Sequence, residues 1–166
     1  MAIRRVVLQG DEILEKVCRP VTDFNRRLHI LLDDMADTLV EANGAGLAAP
    51  QVGILRRAVI VFDDEEEILE LINPEIVSAS GEQTGVEGCL SLPGKWGMVT
   101  RPDHVRVRAQ DRFGRWFETE GEGLTARAFC HEIDHLDGHL FAEHIDRFLT
   151  EEEVEAYFRE IEEGNG

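Results

Sequence analysis

The sequence predicts an α+β fold, with mixed and antiparallel strands around one central helix and further helices near the N- and C-terminal ends. Three observations carry this reading. Apolar residues recur at helical spacing near the N-terminus, short apolar or alternating runs fill the middle, and a later helical stretch carries two histidines four residues apart. Helix, then strands, then helix is an α+β order rather than a repeating βαβ one.

In chain order, Asp11 to Val17 reads as one short helical turn ended before Pro20. Asp23 to Asn43 reads as a full helix. Leu28, Leu31, Leu32, Met35 and Leu39 fall on one face, Asp23 is the candidate N-cap, and Gly44 is the stop. Ala58 to Phe62 and Ile68 to Ile72 contain the strand signals, and the acidic stretch Asp63 to Glu67 between them reads as a solvated turn. His104 to Ala109 and Arg115 to Thr119 alternate polar and apolar around Asp111-Arg112-Phe113-Gly114, a hairpin signal. A second helix is expected from about Leu124 to Leu136, with Gly138 as its stop. A third is expected to start at the capping box Thr150-x-x-Glu153 and to run towards Glu163.

The chain has 166 residues, enough for one domain with a sizeable core, and no repeat or linker divides residues 1–166. Its 17 basic and 34 acidic residues give a net charge of −17, which argues against nucleic-acid binding by phosphate neutralisation. No apolar run reaches the ~18–20 residues needed to span a bilayer, and Met1 to Asp11 lacks the form of a signal or transit peptide. We read a cytoplasmic protein with no membrane partner. Cys18, Cys89 and Cys130 are too sparse for a disulfide framework; Cys18 and Cys130 read as small buried hydrophobes.

The sharpest motif is His131-Glu132-Ile133-Asp134-His135. Residues four apart stand one helical turn above each other, so both imidazoles aim at one point, and Glu132 can take a proton from a metal's water. A catalytic metal needs a third protein ligand. An extended HExxHxxGxxH pattern fails: Gly138 fits, but Phe141 occupies the ligand position and His139 comes two places early. Glu155, twenty residues beyond His135, is a second source. Cys89, within Glu87-Gly88-Cys89-Leu90-Ser91, is a third, since a thiolate with two imidazoles suits a borderline divalent metal.

Gly44-Ala45-Gly46-Leu47-Ala48-Ala49-Pro50-Gln51, Glu87 to Ser91 and His131 to His135 together resemble the three signature segments of bacterial peptide deformylases, in the family's order. The resemblance extends through Ile72-Asn73-Pro74, Thr100-Arg101-Pro102 and Gly138-x-Leu140-Phe141, covering roughly residues 5 to 145. It implies the deformylase fold, and hydrolysis of the formyl group from N-formylmethionyl nascent peptides. It makes Cys89, His131 and His135 the metal ligands and Glu132 the general base and then acid. It assigns the oxyanion to Gln51 and the backbone N–H of Leu90, and a supporting role to Glu87 and Arg101 as a pair, with Asp134 a further candidate. The cofactor it implies is one divalent ion per chain, Fe2+ as the native metal, with Zn2+, Ni2+ or Co2+ as substitutes.

A methionine pocket needs apolar walls beside the metal. Leu124 and Ala128, one and two turns before the ligands, are candidates, as are Val86, Ala45 and Trp96. Gly44 and Gly46 would let the loop's backbone approach the substrate, and the family's peptide substrates join a sheet edge as an added strand. His29, His104, His139 and His144 lack ligand spacing and read as surface or packing residues.

The third helix departs from family members that dock on the ribosome through a basic C-terminal helix. Its seven glutamates (Glu151, Glu152, Glu153, Glu155, Glu160, Glu162, Glu163) face one Arg159, so ribosomal RNA would repel it. Two rival readings stay open: an HExxH zinc endopeptidase using Glu155, and an inactive deformylase-like binding module.

Overall fold

The structure is a computed structural model and describes residues 2–164. Helix α1 spans Arg26–Ala42. Its N-cap is Asn25, whose side chain accepts from Leu28 N at 3.2 Å, so the helix starts later than an Asp23 cap implied. Its end is set by Asn43, which adopts the left-handed conformation (φ 55°) just before Gly44.

Five strands make the larger sheet: β1 (Gly46–Ala48), β2 (Ala58–Phe62), β3 (Ile68–Ser80), β6 (His104–Gln110) and β7 (Trp116–Glu122), in the order β1-β2-β3-β6-β7. Strands β4 (Gln83–Cys89), β5 (Leu92–Arg101) and β8 (Ile145–Phe148) make the smaller sheet. Every pairing of named strands is antiparallel. The run Asp63 to Glu67 turns between β2 and β3, with Asp63 N donating to Glu67 O at 2.8 Å. Asp111 closes the β6–β7 hairpin by accepting from Phe113 N and Arg115 N.

Strand β2 is apolar throughout because both faces of the large sheet are covered. Val59 and Val61 belong to the cluster formed with Phe129, Ile133 and Leu136 of helix α2 (Gly123–Leu136), whereas Ala58 and Ile60 pack with Leu32, Met35 and Leu39 of α1. Phe129 is fully buried, and its loss to alanine would cost about 3–5 kcal/mol. Helix α2 also reaches β5, so it joins the two sheets. The HExxH segment therefore lies on the most firmly embedded helix of the fold.

The N-terminal segment ties the motif regions together. Val7 N donates to Gln51 O at 2.7 Å and Gln9 N to Ser91 O at 2.6 Å, while Cys18 N donates to Leu136 O at the end of α2. Beyond β8, Thr150 and Glu153 form the expected capping box for helix α3, Glu151–Gly164. Among the described residues no helix is long and apolar enough to cross a membrane.

Candidate active site

His131 and His135 project from one face of α2 with ring centroids 5.2 Å apart. Strand β4 delivers Cys89 to them at a break in register: Gly88 pairs with Trp96, but Cys89 pairs with Leu92. Such irregularities re-aim a side chain that regular pairing would fix elsewhere. The Cys89 Sγ stands 3.5 Å from His135 Nε2, and one ligand atom from each of the three residues falls within 4.8 Å of the other two. Glu155 is exposed on α3 and is no part of this cluster, which removes the structural basis for the endopeptidase alternative.

Two buried polar atoms of the site have no partner among the described residues, Glu132 Oε1 and His135 Nδ1. Burial pushes the Glu132 carboxyl up to about 7. Burial, reinforced by the charge on His131, holds His135 down to about 3, so its ring is neutral and available as a ligand. For His131 burial opposes the charged form, but Glu132, Cys89 and Glu87 outweigh it and hold the ring well above 6.5.

Glu87 organises the wall behind the ligands. Its carboxylate accepts from Arg101 Nε and Nη2, each at 3.0 Å, from Arg127 Nη1 at 2.6 Å, and from His131 Nδ1 at 2.8 Å. Arg101 also donates to Asp134 at 2.8 Å. The Glu87–Arg101 pairing is thus present, and Arg127 extends it. Sequence reasoning passed over Arg127, although an arginine one helical turn before His131, on the apolar side of α2, is itself a signal of a buried counter-charge.

Gln51 is held at both ends of its amide. Its Oε1 accepts from Ala48 N at 2.9 Å, and its Nε2 donates to Ser91 Oγ at 3.1 Å and lies 3.6 Å from Cys89 Sγ. Gly46 has a different reason to be glycine from the one the sequence suggested: an added Cβ would stand 2.8 Å from both Cγ and Oε2 of Glu132. The segment after α1 is strand rather than loop, and its backbone presses on the general-base candidate.

A cavity of about 580 Å³ is lined by Cys89 and His131 of the three ligand candidates and by Glu132. Ala45, Gly46, Val86, Leu124 and Ala128 all line it, as do Leu90 and Trp96. Leu124 is 81% exposed and stands at the mouth. His29, His104, His139 and His144 lie away from this cavity; His144 sits 3.3 Å from Asp134.

Known proteins with the same sequence pattern and backbone decide what this site belongs to. Residues 3–151 match the family described as polypeptide deformylase. The chain belongs to that family. A peptide deformylase of Caldicellulosiruptor bescii is 57% identical, covering 93% of this chain and 93% of its own. The crystal structure of a peptide deformylase from Legionella pneumophila superposes with a TM-score of 0.82 at 42% identity, covering 99% of this chain and 96% of that one. The Met-Ala-Ser-bound class I type b peptide deformylase from Acinetobacter baumannii superposes at 0.81 and 36% identity, over 86% of this chain and 98% of that one. Deformylases remove the N-formyl group from nascent peptides, and this protein is a hydrolase of that kind. The deformylase reading is accordingly favoured over both rivals.

Proposed function

We propose that Cys89, His131 and His135 hold one divalent metal ion, and that Glu132 moves the protons of formyl hydrolysis beside it. The observation that supports this is the 3.5 Å separation of Cys89 Sγ and His135 Nε2. Donor atoms this close could hold one ion between them. The donors fit: His131 commits Nδ1 to Glu87, which leaves Nε2 for the ion, and His135 is held neutral. When bound, the ion supplies Lewis acidity to the formyl oxygen and to the attacking water.

Hydrolysis then asks three things of the side chains. Glu132, poised near neutrality in a dry setting, accepts a proton from the attacking water and passes it to the departing amine nitrogen. Gln51 Nε2 and the backbone N–H of Leu90 donate to the oxyanion of the tetrahedral intermediate, Gln51 already anchored by Ala48 and Ser91. Collapse breaks the C–N bond and releases formate and a free α-amine.

The methionine side chain enters the apolar wall of Val86, Leu124 and Ala128, with Ala45 and Gly46 opposite. Both β1 and β4 are edge strands beside this cavity, so an extended peptide has unpaired backbone to join. The Met-Ala-Ser bound by the Acinetobacter relative is a ligand of this class. Ferrous iron is the proposed native metal, with zinc, nickel and cobalt compatible with one thiolate and two imidazoles. Residues 1–166 act as one cytoplasmic domain that meets nascent chains without docking α3 on ribosomal RNA, because α3 is acidic.

The test is anaerobic hydrolysis of formyl-Met-Ala-Ser by iron- or nickel-loaded protein, read as formate release. Wild type is expected to release formate, and Cys89→Ala to lose both metal and activity. Full metal occupancy in Cys89→Ala would overturn the ligand assignment.

A further inference from the structure

The family match ends at residue 151, where α3 begins, yet α3 returns to the substrate cavity. Phe158 lines that cavity and meets Trp96 edge to face, ring centroids 5.7 Å apart. Trp96 in turn lies across Gly88, where an added Cβ would stand 2.6 Å from the indole ring. Gly88 directly precedes Cys89, so a continuous path runs from the metal site over Gly88 and Trp96 to Phe158.

Placement of α3 is tied to this path. Leu149 N donates to Trp96 O at 2.9 Å, and Phe148 pairs with Gly97, so the connection into α3 is bonded to the strand carrying Trp96. Arg147 reaches Glu153 at 2.7 Å, and the Tyr157 hydroxyl stands over Gly85 of β4. Trp96 and Phe158 remain 37% and 41% exposed, an apolar surface at the cavity mouth with room for another side chain.

We infer that Phe158 and Trp96 form a specificity subsite for an apolar or aromatic side chain of the substrate, two to three residues beyond the formylmethionine. With the methionine beside Cys89, an extended chain advancing about 3.3 Å per residue carries the following side chains towards Trp96 and then Phe158, whose rings stand 5.7 Å apart. The inference rests on the deformylase reading of the site and adds to it a determinant carried by α3. Phe158 acts by contact with the substrate's downstream side chain and takes no part in the bond-breaking step.

The experiment compares kcat/KM for formyl-Met-Gly-Phe-Phe and formyl-Met-Gly-Gly-Gly amides in the nickel-loaded protein. Wild type favours the aromatic peptide, and Phe158→Ala lowers that preference by about three- to tenfold, mostly through KM. Phe158→Leu restores part of it, and Glu160→Gln leaves it in place. Unchanged preference in Phe158→Ala, with formate still released, overturns the subsite alone. No formate from either peptide with wild type overturns the deformylase reading itself.

Discussion

Glu87 accepts a hydrogen bond from His131 Nδ1 at 2.8 Å while the same buried carboxylate neutralises Arg101 and Arg127. Burial alone would raise its pKa, but the bonds from His131 and Arg101 hold it well below the usual carboxylate range. Glu87→Gln keeps the shape and removes the charge that two buried guanidinium groups depend on. The expected outcome is a loss of about 3 kcal/mol of stability and a ten- to hundredfold weaker metal affinity. Denaturant titration and chelator competition read the two effects separately. Undiminished metal affinity would show that Glu87 supports the fold without orienting His131.

Glu132 Oε1 is buried and has no hydrogen-bond partner among the described residues. The proposed role for a side chain so placed is proton transfer. Glu132→Gln is expected to retain stoichiometric metal and to lose about 10²- to 10⁴-fold in kcat. Loss of metal in this variant would instead move Glu132 into the ligand set.

Gly46→Ala forces a Cβ to within 2.8 Å of the Glu132 carboxylate, so backbone or base must give way. A misplacement of about 1 Å at a reacting group can cost about a hundredfold in rate. We expect kcat to fall strongly with metal content unchanged, because the three ligand candidates lie on β4 and α2. A crystal structure of the variant would show the displaced Glu132 carboxylate.

How much of this was legible in the sequence depended on which residues report burial by pattern. Helices α1 and α2 were legible from apolar spacing, and strand β2 from a run that only a doubly covered strand needs. Strands β4 and β5 were not, because Gly85, Gly88, Gly94 and Gly97 interrupt any apolar alternation, and Gly88 and Gly97 answer to the cross-strand side chains of Trp96 and Ile145. Cys89 could be named as a ligand only through its motif's company, since no local spacing links it to residues 42 and 46 places later. Phe158 was missed because nothing in a glutamate-rich helix signals that one aromatic residue folds back on a distant strand pair.

The acidic helix predicts a charge preference in the substrate. Glu155 and Glu162 stand three residues before and four after Phe158, hence on the same side of α3. Peptides with lysine two or three residues after the formylmethionine should show higher kcat/KM than those with glutamate there, by about two- to fivefold at low salt. The difference should shrink towards unity near 1 M salt, where the Debye length is about 3 Å. A preference that persists at high salt would trace to shape and not to these carboxylates.

Cys18 gives the fold an alkaline weakness. It is 4% exposed, and burial pushes its thiol up to about 11 from 9.0, with Arg57 pulling the other way and Asp137 adding slightly. The folded state therefore keeps a proton that the unfolded chain gives up at lower pH. That stabilisation is complete below about pH 9 and is lost as pH rises through about 11. With allowance for solvent screening, the contribution at stake is about 1 kcal/mol. Cys18→Ala should be somewhat less stable at pH 7.5 but lose less between pH 8.5 and 10.5 than wild type. Urea midpoints across that range measure the difference in slope. Parallel curves for the two proteins would show that Cys18 titrates alike in the folded and unfolded chain.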